Sequence, residues 1–258
     1  MNNFSKTLLV VALAASAGAA NASIGVGSTD ATRELYMQAY DSVQKKTYSL
    51  DLGIALATLH ANRADAGYEI SVDLSVDPNW IAFTNPQSFN PASTQYVLAT
   101  GRAGRLYVTQ KVGNPLPQYN ATNNITAAAT AVNNHAQEIN YGLPQDQSVN
   151  VSKLVADTDE DTAKWATGLG NTPNSIWGST GGSEAAVNFG EKADFWAAFS
   201  GVPTTTFLLP GQWLLSATKL EYKVFPPVAE VPLPAAVWMF GAGLMGFLRA
   251  TRRKSAAE

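Results

Sequence analysis

Two stretches of strict alternation constrain this chain more than any other feature. Tyr48, Leu50, Leu52, Ile54 and Leu56 alternate with Ser49, Asp51, Gly53, Ala55 and Ala57, and Tyr68, Ile70, Val72, Leu74 and Val76 alternate with Glu69, Ser71, Asp73 and Ser75. Successive side chains of a strand point to opposite faces, so a period of two marks one buried face and one wetter face. The polar segment 60–67 between the two runs ends in Ala66-Gly67, which predicts a hairpin with a longer loop. Shorter strands are expected around Leu106 with Val108, Val149 with Val151, and Val187 with Phe189. A last one runs through Leu220, Tyr222 and Val224, just after Trp213-Leu214-Leu215.

One segment breaks the period. Residues 123–140 are alanine-rich, with Ile125, Ala128, Val132, Ala136 and Ile139 near helical spacing. Pro115 and Pro117 before it, and Gly142 and Pro144 after it, supply breakers, so a helix packed on the sheet is expected. No fixed-period repeat is visible, which disfavours a solenoid or propeller. The expected fold is mainly β: an antiparallel β-sandwich, jelly-roll-like, with a helical insertion, flanked by an N-terminal signal helix and a C-terminal transmembrane helix.

Both ends carry targeting patterns. Lys6 precedes an apolar run over 7–15, and Ala20-Asn21-Ala22 is a small-x-small triplet ahead of Ser23. Basic start, short apolar core and small-residue triplet together read as a secretory signal over 1–22, cut by signal peptidase between Ala22 and Ser23. The other end, 229–258, holds an uncharged run over 231–248 followed by the basic tail 249–258, with Arg249, Arg252, Arg253 and Lys254. Eighteen residues at ~1.5 Å each cover about 27 Å, marginally enough for a hydrocarbon core of ~30 Å. The arginines after it would hold that end on the cytoplasmic side.

Val231-Pro232-Leu233-Pro234-Ala235-Ala236, then Trp238, Phe240, Gly241, Gly243, Leu244 and Gly246 and an arginine-rich end, resembles the Val-Pro-Leu-Pro-Ala variant of the PEP-CTERM sorting signals. It differs from the name-giving pattern in having Val-Pro-Leu-Pro where Pro-Glu-Pro would stand. The resemblance implies an exported protein of a Gram-negative, exopolysaccharide-producing bacterium. Its precursor would be tethered at the inner membrane by the C-terminal helix and read by an exosortase, a membrane cysteine protease, before delivery to the cell surface or extracellular matrix. It implies nothing about the chemistry of the passenger, 23–228.

That body carries 12 Lys and Arg against 18 Asp and Glu, a net charge of −6, with no basic stripe in the sequence. Nucleic acid and anionic lipid are therefore not expected partners, since phosphate binding relies on clustered cations. There is no cysteine, so stability must come from an apolar core and not from disulfides. No catalytic motif is present, and the two histidines, His60 and His135, are read as structural or solvated. Glu69 and Asp73 would share a strand face, the minimal arrangement for a glycosidase pair, but are expected to face solvent.

Two further candidates remain. Asp157, Asp159 and Asp161 resemble the opening of a calcium loop, but Thr162 stands where glycine and Gly168 where the bidentate glutamate would be, so at most weak Ca²⁺ binding and otherwise no cofactor is expected. Among the aromatics, Trp80, Trp165, Trp177, Trp196 and Trp213 with Tyr96, Tyr107, Tyr119 and Tyr141 offer rings for sugar stacking, or simply fill a core. Trp177, followed by the glycine-rich 178–183, is the best-placed contact residue, whereas Trp196 reads as core. The expected role is non-enzymatic: a structural or adhesive surface or exopolysaccharide-matrix protein. The alternatives are a secreted carbohydrate-active enzyme or a small-ligand or glycan-binding module.

Overall fold

The computed structural model describes residues 23–117, 122–142, 152–156, 158, 185–201 and 203–225. The strands are β1 (Glu34–Asp41), β2 (Lys46–Ala55), β3 (Ile70–Asp73), β4 (Thr94–Arg102), β5 (Arg105–Lys111), β6 (Ser152–Ala156), β7 (Val187–Asn188), β8 (Lys192–Phe199), β9 (Thr205–Leu215) and β10 (Lys219–Lys223). Three helices accompany them: α1 (Leu56–Ala61), α2 (Pro78–Phe83) and α3 (Thr122–Gly142). Every strand pairing is antiparallel, in the order β3-β10-β9-β8-β5-β4-β1-β2-β6, with β7 attached to β4.

The mainly β, antiparallel expectation holds. The two-sheet sandwich does not: among the described residues the strands belong to one continuous sheet that curls into a half-barrel. The physical reason lies in its middle strands, which are apolar on both faces. Leu35, Met37 and Ala39 of β1 enter one core with Tyr96 and Leu98 of β4, Tyr107 of β5, and Phe195 and Ala197 of β8. Tyr36, Val97, Ala99, Leu106, Val108, Trp196 and Ala198, on the alternate positions of the same strands, enter a second core. A sheet with two apolar faces needs a cover on each.

The second face is covered by α3, through Ile125, Ala128, Ala129, Val132, Ala136 and Ile139. This is the helix expected over 123–140. It is held by polar contacts as well: the Tyr36 hydroxyl donates to the Val132 carbonyl at 3.3 Å, and His135 Nε2 lies 2.8 Å from Gln38 Oε1. Gly101 lets the helix approach, because a Cβ there would stand 3.1 Å from the backbone of Ala129.

The first face folds over its own core, with Leu56 and Leu59 of α1 and Trp80 and Phe83 of α2 packed into it. Asp77 caps α2, accepting from the amides of Asn79 at 2.8 Å and Trp80 at 3.1 Å. Its carboxylate also accepts from the Tyr48 hydroxyl and from Ser152 Oγ, both at 2.9 Å. One buried carboxylate thus ties α2 to β2 and β6.

The predicted hairpin between the two alternating runs is not formed. Alternation continues to Leu56, but β2 stops at Ala55 and the chain turns into α1, and β3 pairs with β10 at the far edge of the sheet. Leu56 and Leu59 are three apart, so they bury one face of a short helix as readily as Leu56 would close a strand. Periodicity cannot tell those alternatives apart over so few residues.

Candidate functional site: a cationic corner

Arg33, Arg63, Arg102 and Arg105 are the four arginines of 23–228, and the fold gathers them at one corner. Arg33 closes the 3-10 turn Asp30–Thr32 at the entrance to β1. Arg63 follows α1, and its Nη1 donates to the His60 carbonyl at 2.6 Å. Arg102 and Arg105 face each other across the tight β4–β5 turn, where Gly104 adopts a φ of +82°. A side chain at Gly104 would both be strained and strike Ser200, 2.3 Å from the Cβ position.

Like charges directly opposite each other on adjacent strands are destabilising. Asp30 relieves the pair by placing one carboxylate oxygen on Arg102 Nε and the other on Arg105 Nη1. Arg33 has no such relief. Its Nε and Nη1 are buried without an acceptor among the described residues, and burial, followed by the charge of Arg102, holds its guanidinium below the usual arginine range. Its extended backbone, φ −104° and ψ 135°, turns neighbouring Glu34 to the opposite face, where Glu34 accepts from the Gly25 amide at 2.6 Å. Asp65 is engaged elsewhere, accepting from the Gly67 amide at 2.7 Å.

Aromatic rings border this charge. His60 Nδ1 lies 3.0 Å from the Tyr107 hydroxyl, and the imidazole meets half-buried Phe199 edge-on at 5.2 Å. Phe199 in turn touches half-buried Phe207, with centroids 5.1 Å apart. Burial, then the charges of Arg105 and Arg63, lower the His60 pKa, with Asp30 opposing them. Burial likewise raises the Tyr107 hydroxyl. Chemically the corner is a set of guanidinium donors in excess of their carboxylate, beside an apolar rim.

Of the residues singled out from the sequence, His60 and Tyr107 border this corner, and the other described ones fall elsewhere. Trp80, Trp196 and Trp213 are core, each 1% exposed or less, as are Tyr96 and Tyr107, while Tyr141 stands 85% exposed on α3. Glu69 and Asp73 are exposed at the β3 edge. His135 is buried and hydrogen-bonded, in keeping with a structural role. Ser23 is half-buried, next to Ile24, whose amide donates to Asn140 Oδ1 at 2.8 Å. Ala20, Ala22, Asp157, Asp159, Asp161, Trp165, Trp177, Tyr119, Val231, Pro232, Leu233, Pro234, Ala235, Arg249, Arg252, Arg253 and Lys254 lie outside the described residues. Among the described residues no group of acidic or histidine side chains is arranged to hold a metal, and no helix is long and apolar enough to cross a membrane.

The sequence reading named His60 and Tyr107 but none of the arginines they border. Its arginines are separated by up to tens of residues and form no run, so nothing in linear charge patterning reports them. The only local signal was Arg102-Ala103-Gly104-Arg105, two cations flanking a turn glycine. No protein family, curated protein or solved structure matches the chain.

Proposed function

We propose that this chain is an exported protein, sorted through its C-terminal segment to the cell surface or extracellular matrix, where its body serves a structural or adhesive role. The observation that carries the reading is the ordered C-terminal series: Val231-Pro232-Leu233-Pro234-Ala235, an uncharged run to 248, then Arg249, Arg252, Arg253 and Lys254. Proline disfavours helix in the residue before it and so favours an extended chain, the form that a protease cleft accepts. Each basic group would cost about 2.5–3.5 kcal/mol at the centre of a bilayer, so the cluster fixes the tail on the cytoplasmic side. The secretory pattern over 1–22 supplies the export that such sorting requires.

A single antiparallel sheet with both faces covered suits a passenger with these demands. It holds its shape through two apolar cores and buried hydrogen bonds, in a chain with no cysteine to lock it. The cationic corner gives the adhesive half of the reading a surface. The test is fractionation of the native host, with antibody against the body, in the presence and absence of its exosortase. The account expects a shortened, membrane-free form only when the exosortase is present. Changing Arg249, Arg252, Arg253 and Lys254 together to Ser should let the precursor escape the membrane or mis-orient in it.

A further inference from the structure

We propose that the cationic corner binds the carboxylates of an acidic polysaccharide, the arginines taking the charges and the rings beside them the sugar faces. The inference rests on the adhesive reading above and gives it a ligand class and named residues.

Three observations converge. First, Asp30 shows that the spacing of Arg102 and Arg105 suits a carboxylate, since each of its oxygens is bonded to one guanidinium. The carboxylate bridges two guanidiniums with one charge-assisted bond to each, so the pair accepts a single carboxylate between them. Second, the donors are not used up. Arg33 has no carboxylate partner among the described residues; its Nε and Nη1 are buried without an acceptor, and the side chain is only half-buried, so a ligand meets its outer edge and compensates the charge there. Third, Phe199 and Phe207 are half-buried beside the same charges, with His60 against Phe199 at 5.2 Å. Partly exposed rings next to cations fit the apolar C–H face of a pyranose whose carboxylate reaches the arginine.

A chain ligand fits better than a single ion. The guanidiniums come from four places, before β1, after α1, and on either side of the β4–β5 turn, and so offer several contacts along a surface. A polymer that repeats one carboxylate per sugar can use several of them, and multiple weak contacts then multiply in affinity. The body's net charge of −6 adds a selective element, because it opposes non-specific binding of polyanions.

The test uses the full-length chain in detergent and measures retention on polygalacturonate, on its fully methyl-esterified form and on dextran. Wild type should bind polygalacturonate alone, and more weakly as salt rises. Arg33→Gln should weaken binding by at least about tenfold, the loss expected for a charge-assisted contact. It should do so without lowering the melting temperature, because Nε and Nη1 of that guanidinium have no acceptor among the described residues, whereas a purely structural arginine would lower it. Asp30→Asn should tighten binding, since it releases Arg102 and Arg105, and Lys45→Gln, at an exposed turn, should change nothing. Equal binding by Arg33→Gln, equal retention of the methyl ester or dextran, full competition by inorganic sulfate at matched charge, or equal binding of single-stranded DNA would each overturn the proposal. None of those results bears on exosortase-dependent fractionation, so failure of the corner and failure of the sorting reading are separable.

Discussion

The Arg33 guanidinium is held next to that of Arg102, with burial and like charge both working against its protonation, while Asp30 spends its carboxylate on Arg102 and Arg105. Two cations kept together with one carboxylate between the wrong pair is a configuration that folding alone would not select. It follows that removing Arg33 should help the fold. Arg33→Met retains the aliphatic packing and deletes the unpartnered donors, and should stabilise the unliganded protein by about 1 kcal/mol in urea unfolding, a value discounted for partial exposure.

The carboxyl of Asp51 provides a pH signature. It is 5% exposed, and burial, then the charge of Glu34, raise its pKa to about 7, against the opposing bond from the Gly53 amide. An unfolded aspartate titrates near ~3.9. Between those values the folded state holds the extra proton, so stability falls as pH rises from about 4 to about 7 and is flat above. Asp51→Asn should remove that slope, leaving stability near pH 4 little changed and raising it above pH 7. Urea midpoints at the two ends of the range decide the matter; equal slopes in mutant and wild type would contradict it.

The clamp on α3 makes a local prediction. His135→Ala deletes the 2.8 Å contact to Gln38 and the weaker one to Glu138. The expected loss is about 1–3 kcal/mol, the ordinary consequence of disrupting a buried polar contact. Amide exchange should quicken in α3 while the β5–β8–β9 ladder stays protected, since that ladder also packs on the opposite core.

Asp77 should be the most sensitive polar position in the body. Asp77→Ala removes a helix cap and leaves the Tyr48 hydroxyl and Ser152 Oγ without their carboxylate, which together should cost about 2–4 kcal/mol. Tyr48→Phe, losing one hydroxyl from a site that keeps its other donors, should cost about 1 kcal/mol. Thermal unfolding with both variants side by side checks the ranking.

What the sequence disclosed follows from where each strand sits. β10 could be read because half-exposed polar residues interrupt its buried ones, β2 because Ser49 and Asp51 alternate with its apolar residues although they too are buried, and α3 because its apolar stripe faces a single partner. β1 could not: Leu35, Tyr36, Met37, Gln38 and Ala39 are all buried, so the alternation that marks a half-wet strand is missing. The same double burial led the two-sheet expectation astray, because a strand that serves two cores was counted as serving one. Pairing between distant segments, such as β3 with β10 or β2 with β6, has no local signature at all. The arginine corner was invisible for the same reason, being assembled by strand order and not by spacing.

The central claim is that the chain is exported and then processed through its tail, and intact mass spectrometry of the protein recovered from its native host tests it most directly. With the exosortase present, the account predicts a mature chain that begins at Ser23 and ends within or close to Val231–Ala235. With the exosortase deleted, the same start should be found with the tail retained through the arginines. A chain that begins at Met1, or one whose mass is identical in the two hosts, would contradict the account.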